Sequence, residues 1–146
     1  MKPRTGFLPL SLILRYSPAA MLRVDAKVKK SPIHSKGLFA DQDIKEGTVV
    51  WEFDPDTDLH IPAKFLQGLE KKVLDYVDFF GSREGNHVFL DGDDARYMNH
   101  SREPNVKTGP GRDSMYAVRD IKKGEELLCD YREFDDPSRE GKEDYV

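Results

Sequence analysis

One cysteine, Cys129, stands in 146 residues, so no intrachain disulfide can form and no cysteine-based zinc cluster can be built. Long apolar runs are missing too. The stretch from Phe7 to Leu14 is interrupted by Pro9 and ended by Arg15, well short of what crosses a bilayer. After Met1-Lys2-Pro3-Arg4 that stretch resembles a secretory leader only superficially, so residues 1–22 are read as an N-terminal extension and the protein as cytoplasmic, with no membrane partner. Positive charge is scarce: 23 Lys and Arg against 27 Asp and Glu leave a formal net charge of −4. That balance argues against direct nucleic-acid binding, whose affinity comes from clustered cations. The charge is uneven, with eight basic side chains and the single acid Asp25 in residues 1–36. The remainder is strongly acidic, which suits either a basic partner or simply a well-solvated surface.

Short strand signals dominate what is present. Lys27–Lys30, Leu38–Ala40, Thr48–Phe53 and His87–Leu90 are rich in alternating, β-branched or aromatic residues and are separated by turn residues. Phe65, Leu66, Leu69, Val73, Val77 and Phe80 recur at steps of three and four, which predicts one amphipathic helix over about 62–80, ending before Gly81. Asp91-Gly92-Asp93-Asp94 lacks the spacing of an EF-hand loop and reads as a tight turn. Then Arg96-Tyr97-Met98-Asn99-His100-Ser101-Arg102-Glu103-Pro104-Asn105 packs guanidinium, amide, imidazole and hydroxyl groups into ten residues. Its Asn-His-Ser is formally a glycosylation sequon, so alone it is a weak signal.

A repeat gives the chain its organisation. Leu38-Phe39-Ala40-Asp41-Gln42-Asp43-Ile44-Lys45-Glu46-Gly47 returns as Met115-Tyr116-Ala117-Val118-Arg119-Asp120-Ile121-Lys122-Lys123-Gly124, and each copy runs on through a strand to an aromatic, Phe53 or Tyr131. Two copies cannot make a solenoid, so a mostly β domain with internal pseudo-symmetry is predicted.

Four pieces stand in a fixed order: Ser35 to Ala40; Arg96 to Ser101 with Pro104-Asn105; Ala117 to Gly124; and Gly124-Glu125-Glu126-Leu127-Leu128-Cys129-Asp130-Tyr131. Over residues 24–131 this ordered set resembles the SET-domain family of protein-lysine methyltransferases. The resemblance implies a pseudoknotted β fold (β-clip type) of short strands with one inserted helix, spanning 23–132 and followed by an acidic tail, 133–146. It implies S-adenosyl-L-methionine as cofactor, no metal, and a lysine-bearing protein or peptide, of basic character, as substrate. By the same resemblance Lys36, Gly37, Leu38, Arg96, Asn99, His100, Tyr131 and Phe134 are cofactor-binding, Tyr131 is catalytic, and Phe53 and Cys129 line the substrate channel. Phe134 is also the candidate for closing that channel.

The chain departs from the family's pattern at three places. Ser35-Lys36-Gly37 replaces Gly-x-Gly, which removes one permissive backbone position. Cys129 stands where an aromatic is common, and Phe53 where a tyrosine is frequent. A catalytically weak module that binds a basic peptide is therefore the alternative expectation.

Overall fold

The two Asp-Ile-Lys-x-Gly units are partners of each other. In the structure, a computed structural model that describes residues 22–56 and 58–135, Ile44 and Ile121 exchange backbone hydrogen bonds in both directions at 2.8 Å. The Gly47 amide donates to the Ala117 carbonyl at 2.8 Å, and the Gly124 amide donates to the Ala40 carbonyl at 2.7 Å. Side chains obey the same rule. Asp120 accepts from Lys45 Nζ and the Glu46 amide, while Asp43 accepts from Lys122 Nζ and the Lys123 amide. Every contact has its counterpart about 77 residues along the chain, so the repeat generates a local two-fold axis. Both turns require a left-handed residue, which Gly47 (φ +81°) and Gly124 (φ +93°) supply without strain.

Short strands surround this axis. β1 (Ala26–Lys30) and β2 (Lys36–Ala40) form an antiparallel hairpin. β3 (Val49–Glu52) pairs with the later β9 (Ser114–Ala117), which also pairs with β8 (Val106–Thr108). An inserted sheet is made of β4 (Leu59–Pro62), β5 (Ser82–Glu84) and β6 (His87–Leu90), in the order β4-β6-β5. The main core includes Leu38, Ile44, Val50, Val106, Ile121 and Leu127, each nearly or wholly withdrawn from solvent. Burial of such side chains supplies the dominant folding drive, about 1.5–3 kcal/mol each. The insert has a smaller core of its own, Leu66, Val77, Val88 and Leu90.

The helix expected over 62–80 is broken. A 3-10 turn at Ala63–Leu66 precedes α1, which runs only from Lys71 to Phe80. Gly68, at φ +81°, leaves the helical region and resets the phase of the chain. The predicted apolar stripe is split by that reset. Leu66 and Val77 are buried, whereas Phe65, Leu69 and Val73 are exposed.

The closing step is a threading of two distant segments. β7 (Asn99–His100) pairs in parallel with β10 (Leu128–Cys129). On its other side the same passing strand donates from Leu127 to the Leu38 carbonyl at 2.7 Å. Asn105 fixes the crossing: its Nδ2 donates to the Glu126 carbonyl and its Oδ1 accepts from the Leu128 amide, both at 2.8 Å. Buried backbone groups must find partners, and here a buried side chain of the loop completes those of the threaded strand. The mostly β pseudoknotted architecture is thus present. The acidic tail begins docked: Glu133 accepts from the Thr108 amide, Phe134 packs on Tyr131, and Asp135 accepts from the Arg83 amide. Residues 1–21 and 136–146 lie outside the described residues.

Candidate active site at the junction of two cavities

Threading delivers Tyr131 to the one-turn 3-10 segment Tyr131–Glu133, directly after β10. Asp130 caps that segment by accepting from the Arg132 amide at 3.0 Å, and Arg132 also binds it through its guanidinium. The guanidinium holds the Asp130 carboxyl below the usual carboxylate range. The phenol Oη of Tyr131 donates to the Met98 carbonyl at 2.8 Å, and its amide donates to His100 Nδ1 at 3.1 Å. Because Nδ1 is an acceptor, the 3.7 Å approach of His100 to Asp130 is not an ion pair. Burial lowers the pKa of His100, which agrees with a neutral ring.

Two cavities meet at this tyrosine. One, of about 480 Å³, is bordered by the Ile33–Lys36 loop, the end of α1, and Arg96, Asn99, His100 and Tyr131. The other, of about 340 Å³, lies between the insert and the β3-β9-β8 sheet and is bordered by Phe53, Met98, Cys129, Tyr131 and Phe134 among others. Phe80, Arg96 and Tyr131 border both.

Of the residues anticipated for the cofactor, Lys36, Arg96, Asn99, His100 and Tyr131 border the larger cavity. Gly37 lies beneath it, where an added Cβ would fall 2.0 Å from Glu126 Oε1 and 3.1 Å from Asn99 Nδ2. Leu38 has its side chain in the core and its carbonyl bonded to Leu127. Phe134 borders the smaller cavity instead, beside the two anticipated channel residues Phe53 and Cys129. Ser35 adopts φ +39°, so this loop does demand the left-handed conformation that its serine tolerates poorly.

Glu126 is the site residue that the sequence did not single out. Its carboxylate accepts from Asn99 Nδ2 at 2.8 Å and from Ser31 Oγ at 3.0 Å, and Asn99 Nδ2 also reaches the carbonyls of Lys36 (3.0 Å) and His34 (3.3 Å). Its place in the threaded strand, next to the fully buried Leu127, was the available signal. A second omission is the aromatic wall: Phe79, Phe80 and Tyr97 border the larger cavity, and Arg96 lies over the rings of Phe80 and Tyr97. Three buried polar atoms without a partner among the described residues, Trp51 Nε1, Arg96 Nε and Thr108 Oγ1, belong to residues that border the smaller cavity. Unsatisfied buried groups of this kind are uncommon in folded proteins.

A threaded β fold thus sets one tyrosine at the border of two cavities. The chain belongs to the SET domain family, whose sequence profile matches residues 35–132. It is 27% identical over 146 residues to a histone-lysine N-methyltransferase, H3 lysine-4 specific, of Aspergillus oryzae, an alignment that covers 87% of this chain and 11% of that protein. It is 30% identical over 115 residues to human histone-lysine N-methyltransferase 2B, covering 72% of this chain and 4% of that one. The chain therefore spans about a tenth or less of these two relatives. Among solved structures, the Neurospora SET domain protein DIM-5, a histone lysine methyltransferase, superposes with a TM-score of 0.53 at 22% identity, covering 76% of this chain and 53% of that one.

The larger cavity fits S-adenosylmethionine in size and in chemistry. Its volume is in the range of small-molecule sites. The loop carbonyls and Asn99 offer acceptors and a carboxamide to an amino-acid group, Lys36 and Arg96 offer cations to a carboxylate, and the aromatic wall offers faces to a purine.

Proposed function

We propose that the protein is an S-adenosylmethionine-dependent protein-lysine methyltransferase. The observation that carries the reading is the position of Tyr131, which borders both cavities and is held by the Met98 carbonyl. Family membership and the names of the relatives support the reaction class. The most economical substrate is a lysine in a basic protein tail, since the smaller cavity is rimmed by Asp58, Glu84, Asp91 and Asp113.

When bound, the cofactor supplies an electrophilic methyl group on a sulfonium. The chain's own part is positioning. Asn99, with the His34 and Lys36 carbonyls, would hold the amino-acid end in the larger cavity, and Arg96, His100 and the aromatic wall would hold the remainder. Tyr131 and the Met98 carbonyl would orient the incoming amine, and an in-line displacement needs such alignment more than it needs a strong base. The low-polarity walls at Phe53, Met98, Cys129 and Phe134 exclude water from the junction. Desolvation there favours the neutral, nucleophilic amine.

One observation favours a second reading, a module that binds a basic peptide without turnover: the positive φ at Ser35 strains the loop that borders the larger cavity. The two readings separate in two measurements. Labelled S-adenosylmethionine with mixed basic proteins should give incorporation by the wild type and little by Tyr131→Phe. Calorimetry with the cofactor alone should give binding that Asn99→Ala weakens, and the absence of any binding supports the module.

A further inference from the structure

We propose that the smaller cavity recognises the cationic end of its ligand through Asp91, a carboxyl that the fold leaves without a hydrogen bond. This deepens the methyltransferase reading and rests on it for the identity of the ligand as a lysine side chain. Asp58 and Asp91 border the cavity, Asp93 is near enough for its charge to act on Asp91, and two of these three carboxylates are committed. Asp58 accepts from the amides of Asp54 and Gly92, each at 2.9 Å. Asp93 accepts from the amides of Leu22 and Ala95, each at 2.9 Å, and caps the turn that carries Arg96. No hydrogen bond within the described residues reaches the carboxyl of Asp91, which sits deep in the fold but keeps part of its surface open where the cavity borders it.

Such a group stays ionised only with a cation beside it and otherwise takes up a proton. Burial comes first, then the neighbouring charges of Asp58 and Asp93, in pushing the Asp91 carboxyl up to about 7, while Arg96 pulls the other way. Arg96 acts on Asp91 by charge alone, since the hydrogen bond of its Nη1 goes to Tyr76 Oη at 3.1 Å and none reaches Asp91. Cys129 stands on the same wall and is uncharged, its own thiol pushed up by burial and by Asp91. Farther round the rim are His60, Glu84, Asp113 and Arg112, of which Arg112 is paired to Glu84 at 2.6 Å. An alkylammonium entering the cavity therefore meets, among its less exposed acids, one without a hydrogen bond, Asp91; Asp113, also without a side-chain partner among the described residues, is exposed at the rim.

The same balance lets the ion pair resolve. Transfer of one proton from Nζ to a carboxylate oxygen breaks an N–H bond and forms an O–H bond, leaving neutral amine beside neutral acid. Neither product leaves a charge in a dry site. Asp91 thus serves recognition of the ammonium without locking the amine in its unreactive form.

The test follows the Asp91 carboxyl carbon by NMR across a pH titration, with butylammonium chloride as the probe for a lysine side chain. Sodium chloride and 1-butanol, at matched concentration, control for ionic strength and for apolar filling. Butylammonium should move the Asp91 midpoint to lower pH, and neither control should. Asp91→Asn should weaken butylammonium binding by at least about 30-fold. An Asp91 titration indifferent to butylammonium, or displaced equally by butanol, overturns the proposal, and the wild-type measurement decides even if the variant does not fold. The readout needs neither cofactor nor transfer. A midpoint that moves without any methyl incorporation sinks only the enzymatic reading, and incorporation with an unmoved midpoint sinks only this one.

Discussion

Glu126 Oε1 lies 2.8 Å from Asn99 Nδ2, so the floor of the larger cavity is a bond between the two segments that thread through each other. Gly37 sits in the remaining space, and any side chain there collides with that carboxylate. Gly37→Ala should therefore push Glu126 off Asn99 and Ser31. Loss of these part-buried bonds predicts destabilisation of about 1–3 kcal/mol, together with weaker cofactor binding. Denaturant midpoints and cofactor calorimetry on the same variant check both effects; a variant as stable as wild type would show that Glu126 has no structural role at the floor.

Tyr131→Phe removes one hydroxyl bonded to the Met98 carbonyl and leaves the ring packed at a tilt against His100 and Phe134. Incorporation should fall by about 100-fold or more, in line with the loss of one group that orients reactants. Cofactor affinity should change little. Steady-state rates compared with calorimetry separate the two, and an equal loss in both would place the residue in binding instead.

Asn105 deserves its own variant, because its carboxamide satisfies one carbonyl and one amide of the threaded strand. Asn105→Ala leaves both backbone groups short of a partner and should cost about 2–4 kcal/mol. Chemical unfolding measures the loss directly. Retention of wild-type stability would mean that the parallel β7-β10 pairing closes the fold unaided.

Ser35→Gly removes the strain of a side chain at φ +39°. The variant should gain up to about 1 kcal/mol in stability and bind the cofactor more tightly. Tighter binding without added stability would place the benefit in loop mobility rather than in relief of strain.

Asp91 makes stability depend on pH in an unusual direction. Its folded value, about 7, lies above the ordinary 3.8, so the folded state holds a proton that the unfolded chain has already lost. Its contribution is fully present below about pH 4 and is lost as pH rises through about 7. Relative to Asp91→Asn, the wild type should therefore weaken across that interval. Parallel thermal melts from pH 4 to 8 measure it, and curves that stay parallel would contradict the buried, unpaired carboxyl.

Several elements were legible in the sequence because they depend on local pattern. The strands at Leu38–Ala40 and His87–Leu90, the glycine-ended turns and the repeat all follow from residue type at short spacing. The ordered motifs sufficed for the family. The helix boundaries were not legible in the same way, since Leu66, Leu69, Val73 and Val77 keep helical spacing across a glycine that breaks the helix. Periodicity counts apolar positions and is blind to one left-handed residue.

The sequence by itself therefore determined that two Asp-Ile-Lys-x-Gly units exist and that an Asn-His segment precedes an Asp-Tyr ending. Only the tertiary structure decided that Ile44 pairs with Ile121, that Phe134 lies on the smaller cavity's side of Tyr131, and that Asp58 and Asp93 are bonded while Asp91 is left over. The physical reason is the range of the interactions. Turn chemistry and alternation act over a few residues, whereas the partners of a buried carbonyl or carboxylate are assigned by closure of the whole chain, and in this fold closure is a threading of segments about 30 residues apart.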